Sequence, residues 1–89
     1  MALKSTQDVL RGFVLRRLPS ARRHAFANDD DLLDLGILDS LSILVLVEFV
    51  QSKFEIHVSN HDLFPENFES INRLAAFIER KRHSYSMRK

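Results

Sequence analysis

The sequence predicts an all-α domain built from three longer helices and one short one, with a long loop between the first and second. Three observations predict it. Apolar residues recur at helical spacing in three separate stretches, and Pro19, Gly36 and Pro65 fall between those stretches. The one alternating run, Phe54, Ile56 and Val58, is short and reads as an extended strip over the core rather than a paired strand. With 89 residues, 45% of them hydrophobic, the chain has enough apolar material for one compact core and no room for a second. The expected organisation is a single domain over 1–89, its core at about 6–80 and its basic end, 81–89, a flexible tail.

The first helix is expected over residues 6–18. Val9, Leu10, Phe13, Val14 and Leu18 share one face, Ser5 with Asp8 has the form of a capping pair, and Pro19 ends the segment. Gly12 weakens this helix. Residues 19–39 form the long connection, in which Leu32, Leu33, Leu35 and Ile37 are expected to plug the bundle while Gly36 supplies a turn angle that other residues resist. The second helix is expected over 40–54, with Ile43, Leu46, Val47, Val50 and Phe54 inward and Leu41, Leu44, Val45 and Phe49 on the other side. A helix apolar nearly all round cannot be buried on every side in so small a domain, so part of that second set should be exposed. A short helical turn over 60–64, ended by Pro65, follows. The last helix begins at Ser70 as N-cap and repeats apolar residues at Ile71, Leu74, Ala75 and Ile78, with Phe77 alongside. Its basic end, Arg80, Lys81 and Arg82, complements the helix dipole.

Thirteen Lys and Arg against twelve Asp and Glu leave a net charge of +1, but the signs are segregated. Lys4, Arg11, Arg16, Arg17, Arg22 and Arg23 make the first segment basic, and Asp29, Asp30, Asp31, Asp34 and Asp39 make the next acidic. The dense acidic segment and the lack of a helix-turn-helix signature argue against nucleic-acid binding. No long apolar run suggests a membrane span or a secretory leader, which points to the cytoplasm. There is no cysteine, so any thiol chemistry has to come from an added group.

Asp39-Ser40-Leu41, between the turn Leu35-Gly36-Ile37-Leu38 and the second helix, is the most informative feature of the chain. It offers a serine hydroxyl at a helix start, where exposed N–H groups and the positive dipole end favour an anionic substituent such as a phosphodiester. A serine acting as its own nucleophile needs a base and an oxyanion stabiliser. His24, His57, His61 and His83 are the available bases, and no motif ties any of them to Ser40. His57 and His61 stand four apart, but without an HExxH pattern or a third ligand they point to no metal site.

The segment DLLDLGILDSL, residues 31–41, resembles the phosphopantetheine attachment region of acyl and peptidyl carrier proteins, with Ser40 matching the modified serine. The stretch FEIHVSNHDLFPENFESINRLAAFIE, residues 54–79, is similar to the third and fourth helices of that family, through Asp62-Leu63, the PEN triplet and Phe68-x-Ser70-Ile71. The resemblance covers about 6–80 and implies a four-helix carrier-protein bundle. It further implies a 4′-phosphopantetheine arm on Ser40 flanked by Asp39 and Leu41, with Asp39 helping a phosphopantetheinyl transferase or its metal to engage. The implied protein is not an enzyme; it holds acyl or aminoacyl groups as thioesters for an activating ligase and downstream acyl-transfer enzymes, and is a monomer.

The family's fatty-acid carriers have a strongly acidic second helix, whereas Glu48 is the one acidic residue here between Leu41 and Phe54, opposed by Lys53. The Gly-Ile-Leu-Asp-Ser turn and the Gln51-Ser52-Lys53-Phe54 ending look more like stand-alone carriers that serve an adenylating ligase, D-alanyl and other aminoacyl carriers included. Leu41, Leu44, Val45 and Glu48 are the expected docking residues, with the acidic loop at 29–34 adding electrostatic guidance. The fatty-acid, polyketide and nonribosomal-peptide pathways stay open, because the loading enzyme chooses the cargo. The rival from another class is a cofactor-free helical module that binds a partner through the same apolar face; a nucleic-acid binder is a weaker one.

Overall fold

The computed structural model describes residues 4–86. In chain order it contains α1 (Thr6–Arg17), a 3₁₀ turn (Pro19–Arg23), α2 (Ser40–Phe54), a second 3₁₀ turn (Asn60–Asp62), α3 (Pro65–Phe68) and α4 (Ile71–Ser86), with no strand among the described residues. The fold is the expected all-α bundle of three longer helices and one short one.

Helix α1 starts where the Ser5 hydroxyl accepts a hydrogen bond from the Asp8 N–H at 3.0 Å. It stops one residue before the expected end, with Leu18 as its C-cap, because Pro19 biases the preceding residue toward extended backbone. Pro19 then opens a 3₁₀ turn that buries Ala21, an element the sequence reading took for loop. Arg22 holds this turn against the end of α1, donating to the carbonyls of Leu15 and Arg16.

The long connection is tied down along its length. The Arg11 guanidinium reaches the Phe26 carbonyl and Asn28, the Leu32 N–H bonds the Glu69 carbonyl at 2.7 Å, and the Asn72 N–H bonds the Asn28 carbonyl. Leu32 and Ile37 are buried and Leu33 and Leu35 partly so, as expected; Phe26 and Leu38 join the same core. Gly36 has φ +75, so the glycine is required by the backbone itself.

Two expectations about α2 need correction. Ile43, Val47 and Phe54 are only partly buried, while Leu46 and Val50 are sealed. Phe49, expected outward, stacks on Phe13 with ring centroids 4.0 Å apart. The helix ends at Glu55 in a left-handed conformation, φ 55, which turns the chain into the strip that buries Ile56 and Val58.

Pro65 starts a helix rather than ending one. The short turn stops at Asp62, and α3 begins with Pro65 at its first position, where the ring's fixed φ suits a helix and no N–H is lost. Ser70 caps α4 through a bond from the Arg73 N–H, and Ile71, Leu74, Ala75, Phe77 and Ile78 all pack into the core. Helix α4 runs to Ser86, so residues 81–86 of the expected tail are helical; Lys81 bonds Asp62 at 2.8 Å, and residues 87–89 lie outside those described.

Candidate functional site

The site is built by the turn that precedes it. The Asp31 carboxylate accepts from the N–H groups of Leu33 and Asp34, folding a local turn that Gly36 closes and that sends Ile37 and Leu38 into the core. Leu38 sits immediately before the helix cap, and Ile43 is at the fourth helical position packed against the same core, the arrangement of a hydrophobic staple. Leu38 was missing from the expected core, although its place before an Asp cap was a readable signal. The next two residues, Asp39 and Ser40, emerge into solvent.

Asp39, not Ser40, is the N-cap. Its carboxylate accepts from the Ser42 N–H at 2.8 Å, and its carbonyl accepts from Ile43 to begin the helical ladder. The Ser42 N–H, then the Ser42 hydroxyl, hold the Asp39 carboxyl below its ordinary value of 3.8, with a smaller contribution from the Leu41 N–H. Asp39 is therefore anionic at neutral pH, and the helix end is capped without the Ser40 side chain.

Ser40 is the first residue of α2 and exposed, and among the described residues no side-chain hydrogen bond engages its hydroxyl. Beside it Leu41 is 75% exposed, Leu44 58% and Val45 41%, an apolar strip one turn long and more. Glu48 continues that strip in the open. The four histidines stay on other elements: His24 bonds the Ser20 carbonyl after the first turn, His57 is on the extended strip, His61 in the second turn and His83 on α4. Among the described residues no group of three or more potential ligands could hold a metal ion, and no helix is long and apolar enough to cross a membrane.

An exposed hydroxyl with no structural partner at the positive end of a helix is a place where an anionic group could be attached. Comparison with known proteins bears this out. The family described as the phosphopantetheine attachment site matches residues 10–78. D-alanyl carrier proteins of Streptococcus equi, from subsp. zooepidemicus and subsp. equi, are 34% identical over 56 residues, covering 63% of this chain and 71% of the relatives. The chain belongs to the phosphopantetheine-binding carrier proteins, a family defined by covalent 4′-phosphopantetheine.

The residues present fit such a group. A phosphodiester needs a reachable hydroxyl and room around it, and the exposed first residue of α2 supplies both. When bound, the group supplies the thiol that this cysteine-free chain lacks.

Proposed function

We propose that Ser40 is the attachment residue and that the protein carries an aminoacyl group as a thioester from an adenylating ligase to an acyl-transfer enzyme. The single observation that carries this reading is the exposed, unengaged Ser40 hydroxyl at the first position of α2, directly after a turn fixed by Ile37 and Leu38. In the attachment step a phosphopantetheinyl transferase removes the Ser40 proton. The Ser40 oxygen then bonds the pantetheine-side phosphorus of coenzyme A's pyrophosphate, that phosphorus's bond to the bridging oxygen breaks, and adenosine 3′,5′-bisphosphate leaves with the bridging oxygen. Asp39 keeps the helix start rigid during this step and offers the transferase or its metal a carboxylate beside the hydroxyl.

Aminoacyl cargo is supported by the relatives' name, D-alanyl carrier protein, and by an α2 with a single acidic residue after Leu41. The apolar strip of Leu41, Leu44 and Val45, with Glu48 at its edge, supports docking of the enzymes beside the arm. The protein acts as a monomer in the cytoplasm and leaves catalysis to those enzymes.

The test is stepwise. The chain is incubated with coenzyme A and a broad-specificity transferase, then with ATP, D-alanine and a D-alanine-activating ligase, and intact mass is read after each stage. One arm and then one aminoacyl group are expected. No first increment removes the carrier reading in favour of a cofactor-free interaction module; a first without a second removes D-alanine as cargo. In the same assay Val45→Glu should keep its fold and lose loading rate, because docking would then bury an unpaired carboxylate. Loading at the wild-type rate takes Val45 out of the docking face.

A further inference from the structure

The groove between α1 and α2 collects positive charge that the rest of the fold leaves unmatched. Among the described residues Arg11 binds Phe26 and Asn28, Arg22 two carbonyls, Arg80 Asn67, Lys81 Asp62 and Arg82 Glu79, whereas Arg17, Arg23 and Arg73 have no ion pair or side-chain hydrogen bond. What sets Lys4, Arg16 and Lys53 apart is that they come together. Among the described residues none of the three side chains has an ion pair or hydrogen bond, yet all three line one cavity of about 140 Å³ floored by Val9 and Phe49. Asp8 is the one carboxylate there.

A second, more open cavity of about 260 Å³ shares Phe49 and adds Phe13, Arg17, Val45 and Glu48. Arg17 lies over the Phe13 ring at 5.7 Å, but Phe13 is buried beneath Phe49, so the apolar surface the groove offers is the partly buried Val9 and Phe49 and the exposed Val45, with cations on its rim. Across both cavities four cations face two carboxylates. Through Val45 the groove runs into the exposed apolar strip of α2.

Gly12 fits the same picture. A glycine inside α1 weakens the helix, and a Cβ at this position would come within 3.1 Å of the Arg16 guanidinium, so a side chain there would press on Arg16 where it lines the groove.

We propose that the α1–α2 groove docks an acidic amphipathic segment of a partner protein, its apolar side chain against Val9, Phe49 and Val45 and its carboxylates among Lys4, Arg16, Arg17 and Lys53. A small anion alone would leave Val9, Phe49 and the adjoining Val45 uncovered. A second copy of the chain would bring this net positive groove against its own like charge unless the acidic loop turned to meet it. An acidic amphipathic segment satisfies both the charge and the apolar area. This docking does not depend on an arm at Ser40.

The test uses the isotope-labelled chain and two synthetic probes: an amphipathic peptide of about 14 residues made of leucine and glutamate, and its counterpart with lysine for glutamate. The acidic peptide should shift the amides of Gly12, Phe49 and Lys53 and the basic one should not. Binding should fall about tenfold in Arg16→Glu/Lys53→Glu, and several-fold between about 50 and 300 mM salt. Gly12→Ala should raise the melting temperature and still weaken the peptide, a pairing that a merely structural glycine does not give. Equal binding of both peptides, shifts confined to residues 29–34, inorganic phosphate shifting the groove while the acidic peptide does not, or self-association through the groove would each overturn the proposal. Attachment at Ser40 is read separately by mass, so the two ideas fail independently.

Discussion

Helices α2 and α4 are nearly equal in length, 15 and 16 residues, and both are rich in apolar side chains, yet they place them differently. In α4 Ile71, Leu74, Ala75, Phe77 and Ile78 all lie in the core. In α2 only Leu46 and Val50 are sealed, while Leu41, Leu44 and Val45 face solvent. The apolar pattern of α4 is what folding requires. That of α2 exceeds it, and the excess lies beside Ser40, the residue proposed to bear the arm.

The sharpest way to break this contrast is to cut one leucine from each helix. Leu74→Ala should cost about 2 to 5 kcal/mol, since a fully buried side chain leaves a cavity that the bundle can only partly close. Chemical denaturation measures it, and a loss below about 1 kcal/mol would mean that α4 is not the folding helix.

Next in size is the turn that aims Ser40. Gly36→Ala should destabilise by about 1 to 2 kcal/mol through backbone strain alone, because nothing lies within 4 Å of where the new methyl would sit. Gly36→Asn should lose less, as Asn tolerates this region better. Equal losses in the two variants would point to a cause other than the backbone angle.

A smaller effect is set by pH at the far end of α4. Burial alone would raise the Asp62 carboxyl, but bonds from Lys81 and from the Ser59 N–H and hydroxyl outweigh it and hold Asp62 below its ordinary value of 3.8. A depressed folded value means that its contribution to stability is complete above 3.8 and is lost as the pH falls through the folded value. The melting temperature of wild type should therefore fall more steeply than that of Asp62→Asn between about pH 4 and 2. Parallel curves would remove this ion pair as the anchor of α4.

The smallest change in stability belongs to the exposed strip: Leu44→Ala should stay within about 0.5 kcal/mol of wild type. A loss like that of Leu74→Ala would make the α2 face part of the core and end the contrast.

Much of this could be read in advance where one signal dominates. The periodicity of α1, α2 and α4, the caps at Ser5 and Ser70, and the position of Ser40 at a helix start all follow from short-range pattern. The misreadings arose where one residue type serves two purposes. Pro65 can stop a helix or open one, and which it does depends on Phe64 being extended, with φ −84 and ψ 138. The basic residues after Ile78 look like a solvated tail, yet Lys81 finds Asp62, 19 residues away, and Arg82 lies 5.9 Å from the Phe54 ring. Phe49, expected outward, is as partly buried as Phe54, expected inward, because α1 offers Phe13 as a stacking partner, a contact no helical wheel contains. The α1–α2 groove was hidden for the same reason, since its cations come from residues up to 49 positions apart, Lys4 and Lys53 among them.

The central claim is that one hydroxyl, free of structural duty, carries the arm. It is tested most directly by modifying wild type, Ser40→Ala and Ser42→Ala with coenzyme A and a broad-specificity transferase, then reading intact mass alongside the melting temperature. Asp39 caps α2 without Ser40, so Ser40→Ala should melt within about 0.5 kcal/mol of wild type and gain nothing. Ser42→Ala, which removes a hydroxyl bonded to Asp39, should still take one arm. An arm on Ser40→Ala would contradict the account.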